Sequence, residues 1–187
     1  MPVQYQGEVI GIGGRIRMSP LQVELLERTR ENVEIYFYKT QDQEIHRMLP
    51  SAVSTVEEAL AAYEKACLPG ADSFGRCIYW EGRYVGDIWC YCITKEEHPN
   101  AMLSYCIFEK ECWGRGTASA AVGAFLKLVK KKFSLESAGA FTYADNAGSR
   151  RVLEKNDFVC RELFVQDGRE SAYYEKNLKY GNEGGTE

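Results

Sequence analysis

Three successive segments between residues 73 and 108 constrain the fold of this chain more than any other feature. They cover residues 73–80, 84–93 and 101–108, and each is rich in aromatic and β-branched side chains, which favour strands. Glu81, Gly82 and Arg83 form a tight turn between the first two segments, and a charged loop precedes the third. The pattern predicts an antiparallel meander of three strands, which the rest of the chain must cover.

Helical patterns flank the meander on both sides. Apolar residues recur near helical spacing at 21–30, and Ser54 with Glu57 forms a capping box that begins a second helix. After the meander, an amphipathic pattern predicts a long helix at 116–133, whose last turns carry lysines typical of a solvated helix end. The other predicted elements are two short strands within 8–18, a loop or short helical turn at 42–50, a strand at 140–143, a helix at 146–155, and strands at 158–165 and 172–178.

Length, composition and charge narrow the class of protein. A chain of 187 residues that is 45% hydrophobic can bury one substantial core, so we expect a single domain at 1–180 and a disordered tail at 181–187. The net charge of −4 gives no reason to expect a nucleic-acid partner. No apolar run approaches the roughly 18 residues of a membrane span, and the first residues lack a secretory signal. We therefore expect a cytoplasmic protein with no membrane partner.

The cysteines and histidines do not form a recognisable metal site. The seven cysteines include no Cys-x-x-Cys spacing, and His46 and His98 have no cysteine or acidic neighbours at ligand spacing. Cys90 and Cys92 are two residues apart, which on a strand places both on one face. We interpret the cysteines as reduced, small core residues, in preference to a metal or redox role.

The segment between the third strand and the long helix carries the chemistry. It reads Trp113-Gly114-Arg115-Gly116-Thr117-Ala118, and a strand, a glycine loop and a helix in this order present free backbone N–H groups to an anion. An ordinary strand-to-helix connection is the alternative interpretation of this loop alone. It is not a dinucleotide fingerprint, because Ser119 occupies the position of the final glycine.

Two motifs together make the sequence resemble the GNAT acetyltransferases, and within them the RimJ/RimL type of protein N-terminal acetyltransferase. The pyrophosphate loop of that family is matched by residues 113–118, with Trp113 in the first position. The family motif Asn-x-x-Ser-x-x-Val-Leu-Glu-Lys-x-Gly-Phe is also matched, with Asp157 where the family usually has glycine. The matching residues of this second motif are Asn146, Ser149, Val152, Leu153, Glu154, Lys155 and Phe158.

The resemblance implies a fold and an activity. The implied fold is the α/β (α+β) GNAT fold, a mixed, mostly antiparallel twisted sheet of about seven strands flanked by about four helices. In that fold the strand before the loop and the strand before Asn146 splay apart to form the CoA cleft. The implied activity is N-acetyl transfer from acetyl-CoA, a co-substrate, to an amine that is either a protein N-terminus or a small molecule. A catalytically silent CoA-binding or acyl-CoA-binding module is the alternative.

The same resemblance assigns residues to the cleft. It implies that the backbone of residues 105–108 pairs with pantetheine, that N–H groups of the loop hold the pyrophosphate, and that Asn146 contacts the pantetheine arm. The implied cofactor-binding residues are Tyr105, Ile107, Phe108, Trp113, Gly114, Arg115, Gly116, Thr117, Ala118 and Asn146. No metal is implied, and the protein is expected to be a monomer or a homodimer.

The catalytic groups follow less directly. Many GNAT enzymes use a tyrosine as the acid at the position that is Leu153 here. The resemblance to the RimJ/RimL branch implies instead that the serine of the second motif, Ser149, donates a proton to the CoA sulfur. The alternative for Ser149 is a structural role in the first turn of its helix.

The general base, the acceptor and the length of the acyl group stay open at this level. Asp87, Ser104 and Tyr105 are the possible bases on the central strands, unless an ordered water acts as a relay. The loop at 96–98 is a solvated turn or, alternatively, a site for a cationic substrate, which the acidic composition mildly favours. Acyl-chain length depends on the pocket around residues such as Cys106 and Phe141.

Overall fold

The computed structural model describes residues 23–49, 53–166 and 168–179, and within them the chain forms one seven-stranded sheet. The strands are β1 (Val23–Leu26), β2 (Phe74–Trp80), β3 (Arg83–Tyr91), β4 (Asn100–Ile107), β5 (Ser137–Tyr143), β6 (Val159–Gln166) and β7 (Arg169–Asn177). The α-helices are α1 (Arg30–Lys39), α2 (Gln43–His46), α3 (Val56–Ala66), α4 (Thr117–Phe133) and α5 (Ala147–Lys155). The sheet order is β1-β2-β3-β4-β5-β7-β6, and β4–β5 is its one parallel pair.

The predicted meander is confirmed as β2, β3 and β4. Glu81 and Gly82 form its first turn with φ of 51° and 75°, and Trp80 pairs directly with Arg83. Two central residues with positive φ are the signature of the hairpin turn whose twist matches that of the flanking strands. The observed sheet of seven strands, with helices against it, is the mixed and mostly antiparallel architecture that the sequence predicts.

The parallel pair β4–β5 separates along its length. Pairing runs from Asn100 with Ser137 to Leu103 with Ala140, and no pair follows among the described residues. Both strands continue past that point, β4 to Ile107 and β5 to Tyr143. The two strands therefore diverge toward their carboxyl ends, and the edge of β4 that faces β5 is left without a strand partner.

Helices cover both faces of the sheet. Because successive strand residues point to opposite faces, Ile88 and Trp89 mark the two sides of β3. Ile88 is buried in the main core together with Phe125 of α4, whereas the Trp89 ring contacts that of Tyr36 on α1. The face with α4 and α5 holds most of the buried side chains, and no residue of α3 on the other side is fully buried. None of the described helices is long and apolar enough to cross a membrane.

The sequence prediction for residues 21–30 is wrong. Val23–Leu26 is a strand paired with β2, and the helix begins only at Arg30. Thr29 caps that helix, because its side chain accepts from the N–H of Asn32 while its own N–H donates to Asn32 Oδ1. This cap stops the helix from reaching back into the earlier apolar residues.

Three smaller predictions also need comment. The cap of α3 is Thr55, which accepts from the N–H of Glu58, so the predicted box lies one residue too early.

Cys90 is buried, but Cys92 follows the end of β3 with φ of 52° and is exposed, so the two do not share a face. All seven cysteines are free, and four of them are buried. The strands predicted within 8–18 and the tail lie outside the described residues.

Gly86 allows the close approach of β3 and β4, and we predict that it cannot be replaced. An added Cβ would lie 2.2 Å from the Cys106 carbonyl oxygen, a backbone atom that cannot rotate away. Gly86→Ala should lower the free energy of unfolding by about 1–3 kcal/mol or more in denaturant titration.

Gly148→Ala is the matched control for that substitution. Its Cβ would lie 3.6 Å from Asn146 Oδ1, an ordinary contact, in the first turn of α5. Helix propensity should then leave stability unchanged or raise it by up to about 1 kcal/mol. Equal stabilities for the two variants would contradict the account of this strand pair.

Candidate functional site

The loop between β4 and α4 adopts a conformation that requires glycine at two positions. After one 3₁₀ turn at Lys110–Cys112, Gly114 and Gly116 have φ of 70° and 86°. This left-handed region is accessible to glycine without a steric penalty. Gly116 is also the N-cap of α4, so the loop leads directly into the helix.

The amino terminus of α4 has no cap from the protein. No side chain accepts from its first turn, and the N–H groups of residues 114–119 donate to no group among the described residues. The first N–H to be satisfied is that of Ala120, which donates to the Gly116 carbonyl oxygen at 2.9 Å. The first turn contains no acidic residue, and the helix dipole adds positive potential. This end of α4 is therefore suited to a phosphate or pyrophosphate.

A cavity of about 1150 Å³ extends from this loop between the diverging strands. Its walls include residues 103–107 of β4, residues 140–142 of β5 and residues 145–149 at the start of α5. Beyond the strands it continues beneath α1, α2 and α3. The loop residues and the strand divergence thus belong to one continuous space.

Asn146 and Ser149 of the second motif lie in the wall of this cavity. Asn146 caps α5, because its Oδ1 accepts from the Ser149 N–H at 3.0 Å. Ser149 Oγ lies 3.0 Å from the hydroxyl oxygen of Tyr105, and the same phenol lies 3.1 Å from the Ser149 carbonyl oxygen. Tyr105 of β4 therefore reaches the first turn of α5 and connects the two sides of the cleft.

Burial keeps the titratable groups near this contact neutral. The pKa of Tyr105 is raised above its ordinary value, with burial as the main cause. Burial also raises the pKa of the Cys106 thiol to about 12 and the pKa of Tyr36 well above its ordinary value. At neutral pH these side chains can donate hydrogen bonds, but they do not act as charged bases.

One possible base, Asp87, and one possible substrate site, the loop at 96–98, lie away from the cavity. Asp87 is fully buried, 2.8 Å from Arg28 Nη2 and 2.8 Å from the Tyr84 hydroxyl, and it does not line the cavity. Burial raises the pKa of Asp87, and the positive charge of Arg28 opposes that change. The loop at 96–98 precedes Asn100, at the end where β4 and β5 are still paired, and His98 contacts Glu136 there. Ser104, by contrast, lines the cavity.

The structure brings most of the predicted cofactor-binding residues together. Those that line the cavity are Tyr105, Ile107, Trp113, Gly114, Gly116, Thr117, Ala118 and Asn146, together with the catalytic candidate Ser149. Phe108 and Arg115 do not line it. The Phe108 ring packs 4.9 Å from that of Tyr84, and the Arg115 guanidinium lies 5.5 Å from the Trp80 ring.

Two features of the site were not predicted from the sequence. The Trp113 indole N–H donates to the Ile107 carbonyl oxygen at 2.8 Å, which fixes the start of the loop against the end of β4. The other is the Tyr105–Ser149 contact. The described part of the chain contains no cluster of three or more potential metal ligands among histidine, cysteine, aspartate and glutamate.

Two residues of the second motif take the conformations its pattern requires. Leu153 is fully buried in the main core, so this position supplies no acid to the cavity. Asp157 has φ of 61°, the left-handed conformation that the family usually assigns to glycine, and its carboxylate lies 3.1 Å from Lys176 Nζ. Aspartate tolerates this conformation at modest cost.

Comparison with known proteins identifies the family. Residues 22–159 match the model of the acetyltransferase (GNAT) domain, whereas no curated protein matches the sequence. Among solved structures, RimJ of Mycobacterium smegmatis in complex with CoA-disulfide has a TM-score of 0.73 at 17% identity, over 86% of this chain and 87% of its own. RimL, a ribosomal L7/L12 alpha-N-protein acetyltransferase in complex with coenzyme A, has a TM-score of 0.70 at 15% identity. The match covers 83% of this chain and 94% of the RimL chain.

A third similar structure has a different acceptor. It is the aminoglycoside acetyltransferase AAC(6')-Ib in complex with coenzyme A, with a TM-score of 0.71 at 14% identity, over 84% of this chain and 96% of its own. At these identities the structures establish the shared fold, while the domain match covers most of the chain. The chain belongs to the acetyltransferase (GNAT) domain family.

Proposed function

We propose that this protein transfers an acetyl group from acetyl-CoA to a primary amine. The observation that carries the proposal is the uncapped amino terminus of α4, which opens into the cavity between the diverging strands β4 and β5. Family membership supports it, as do the CoA complexes of similar fold. Protein N-terminal amines and small-molecule amines are both acceptors within the family's range.

Each part of the cleft suits one part of CoA. The N–H groups of residues 114–119 would hold the pyrophosphate, because they have no acceptor among the described residues and lie at the positive end of a helix. The unpaired edge of β4 beyond Leu103 would pair with the amide groups of pantetheine. The Asn146 amide N–H₂ makes no hydrogen bond with a described group, so it can donate to the same arm.

Ser149 is the proposed proton donor, and Tyr105 is its positioning residue. Acetyl-CoA supplies an acetyl group activated as a thioester, whose carbonyl carbon is attacked by the acceptor nitrogen as the carbon–sulfur bond breaks. The Tyr105 hydroxyl has one proton, which it can give to the carbonyl oxygen or to the hydroxyl oxygen of Ser149. In the second arrangement the Ser149 proton is free to reach the departing sulfur.

This arrangement also stabilises Ser149 after it has given up its proton. The hydrogen bond from Tyr105 then ends on a negatively charged oxygen, and such charge-assisted bonds are stronger than neutral ones. Because a phenol is a stronger acid than an aliphatic alcohol, the Tyr105 proton moves toward the Ser149 oxygen as the serine proton leaves, and solvent then returns one proton to the pair. The amine loses its proton to water, since the side chain that contacts Ser149 Oγ, the Tyr105 phenol, is neutral.

Ala118→Asp should weaken CoA binding without unfolding the protein. The new carboxylate would lie in the first turn of α4, where the helix dipole favours it, but it would repel a pyrophosphate at the same N–H groups. We expect the Kd for CoA to rise about tenfold or more by calorimetry, which corresponds to about 1.4 kcal/mol.

Ala120→Asp is the matched control, because this neighbouring residue of the same turn does not line the cavity. It should change the Kd by no more than about threefold. An unchanged Kd in Ala118→Asp would contradict the placement of the pyrophosphate.

A double-mutant cycle tests the roles of Ser149 and Tyr105. Ser149→Ala should lower kcat by about 10² with a small effect on the KM for acetyl-CoA, since positioned acids contribute roughly 10²–10⁴. Tyr105→Phe should lower kcat about tenfold in the native protein, yet by less than about twofold in the Ser149→Ala background.

The outcomes of this cycle separate the alternatives. Equal losses from Tyr105→Phe in both backgrounds would assign that residue a purely structural role, and normal turnover in Ser149→Ala would remove the proposed acid. Tight CoA binding by the native protein, without thiol release for any primary amine, would instead support a silent CoA-binding module.

A further inference from the structure

The cavity has a second part that CoA does not account for. We define the helix-side chamber as the part lined by α1, α2 and α3 and by the sheet residues that face them. Its walls are mostly aromatic and aliphatic side chains. They are Val33, Tyr36, Phe37, Ile45, Met48, Leu49, Val53, Ala59, Ala62, Tyr63, Ala66, Trp89 and Tyr91.

One face of α3 lines this chamber. No residue of α3 is fully buried, and its contacts within the chamber come from alanines and Tyr63. An apolar wall left in contact with water is stabilised by a ligand that covers it with an apolar surface. The chamber is therefore better suited to an apolar body than to a strongly hydrated one.

Each charged group in the chamber wall already has an ion-pair partner. Among the described residues, Arg28 and Glu44 are the charged side chains that line it. Arg28 pairs with Asp87 at 2.8 Å, and Glu44 pairs at 3.0 Å with Lys110, which also pairs with Asp42 at 2.8 Å. Further along the cavity, Asp145 pairs with Arg169 through both of its oxygens, at 2.9 and 3.0 Å. A polycation would therefore find no carboxylate without a cationic partner among the described residues that line the cavity.

We infer that the acceptor is a primary amine on an aromatic or similarly apolar body, with no second positive charge nearby. This inference rests on the proposed acetyl transfer and names the substrate class of the same site. Tyr36 adds one neutral polar group, because its buried hydroxyl has no hydrogen-bond partner among the described residues. The overall negative charge of the chain gives a poorer guide to the acceptor than this local pairing of charges.

A comparison of amines tests the inference in the native protein. With acetyl-CoA, kcat/KM measured by thiol release should be about tenfold or more higher for phenethylamine than for 1,4-diaminobutane, spermidine or kanamycin. A tetrapeptide that begins with phenylalanine is measured in parallel, because its N-terminus also presents a primary amine next to an aromatic side chain. Whichever of the two aromatic substrates reacts faster shows whether the acceptor is a free amine or a peptide N-terminus. A preference for the diamine, spermidine or kanamycin would overturn the inference.

A binding measurement separates this inference from the proposed function. In protein saturated with CoA, phenethylamine should raise Tm, whereas 1,4-diaminobutane at the same concentration should not. Binding of phenethylamine without acetylation would support the chamber and contradict acetyl transfer. Acetylation of the diamine, with neither binding nor acetylation of phenethylamine, would support acetyl transfer and contradict the inference about the chamber.

Two neighbouring alanines of α3 provide a matched pair of variants. Ala62 lines the chamber and Ala61 does not, and both are exposed, so the fold should accept glutamate at either position. Ala62→Glu should lower the ratio of kcat/KM for phenethylamine to that for 1,4-diaminobutane about tenfold, because it places an unpaired carboxylate in the wall. Ala61→Glu should leave the ratio within about twofold. An equal change in both variants, or no change in either, would overturn the inference.

Discussion

The divergence of β4 from β5 is the constraint on which the rest of this structure depends. The strands are paired from Asn100 to Leu103 on one side and from Ser137 to Ala140 on the other, and both then continue without pairing. Buried backbone groups require hydrogen-bond partners, so a free strand edge inside a domain is costly unless water or a ligand satisfies it. The divergence thus creates both the cavity and a demand for polar ligand groups along one of its walls.

Two contacts fix the shape of this opening. At the end of β4, the Trp113 indole holds the loop against Ile107, so that α4 begins beside the cleft. On the other side, the Tyr105 phenol crosses to Ser149 in the first turn of α5. Both contacts use groups that are neutral at physiological pH, and so their geometry is not sensitive to moderate changes in pH. The cleft is therefore preorganised, which limits the cost of ordering on binding.

The ion pairs in the wall of the helix-side chamber affect which amines can bind there. A carboxylate that already contacts a cation, such as Glu44 with Lys110, offers less to a positively charged substrate than a free one. Members of one fold can therefore accept different amines without changing the CoA side of the cleft. The aminoglycoside and L7/L12 acetyltransferases of similar fold have different acceptors.

The sequence predicted the elements whose signals are local and failed where long-range contacts decide. The meander, the glycine loop, α4 and α5 were predicted because turn residues, helical periodicity and two motifs lie within short stretches. The sequence around β1 has a helical pattern, because four residues are too few to distinguish the periodicity of a strand from that of a helix. Pairing with β2 makes this segment a strand. The Tyr105–Ser149 contact joins residues that are 44 positions apart, so no local pattern could reveal it. The burial of Asp87 against Arg28 depends in the same way on a packing that the sequence does not display.

The central claim, that the uncapped end of α4 binds the pyrophosphate of CoA, can be tested residue by residue with backbone amide NMR. The ¹⁵N-labelled protein would be titrated with CoA and, in parallel, with pantetheine, which has the same arm but no phosphate. The account predicts that CoA shifts the amide resonances of residues 114–119 strongly and that pantetheine leaves them nearly unchanged, although both ligands perturb the β4 edge. Amides of residues 114–119 that do not respond to saturating CoA would contradict it.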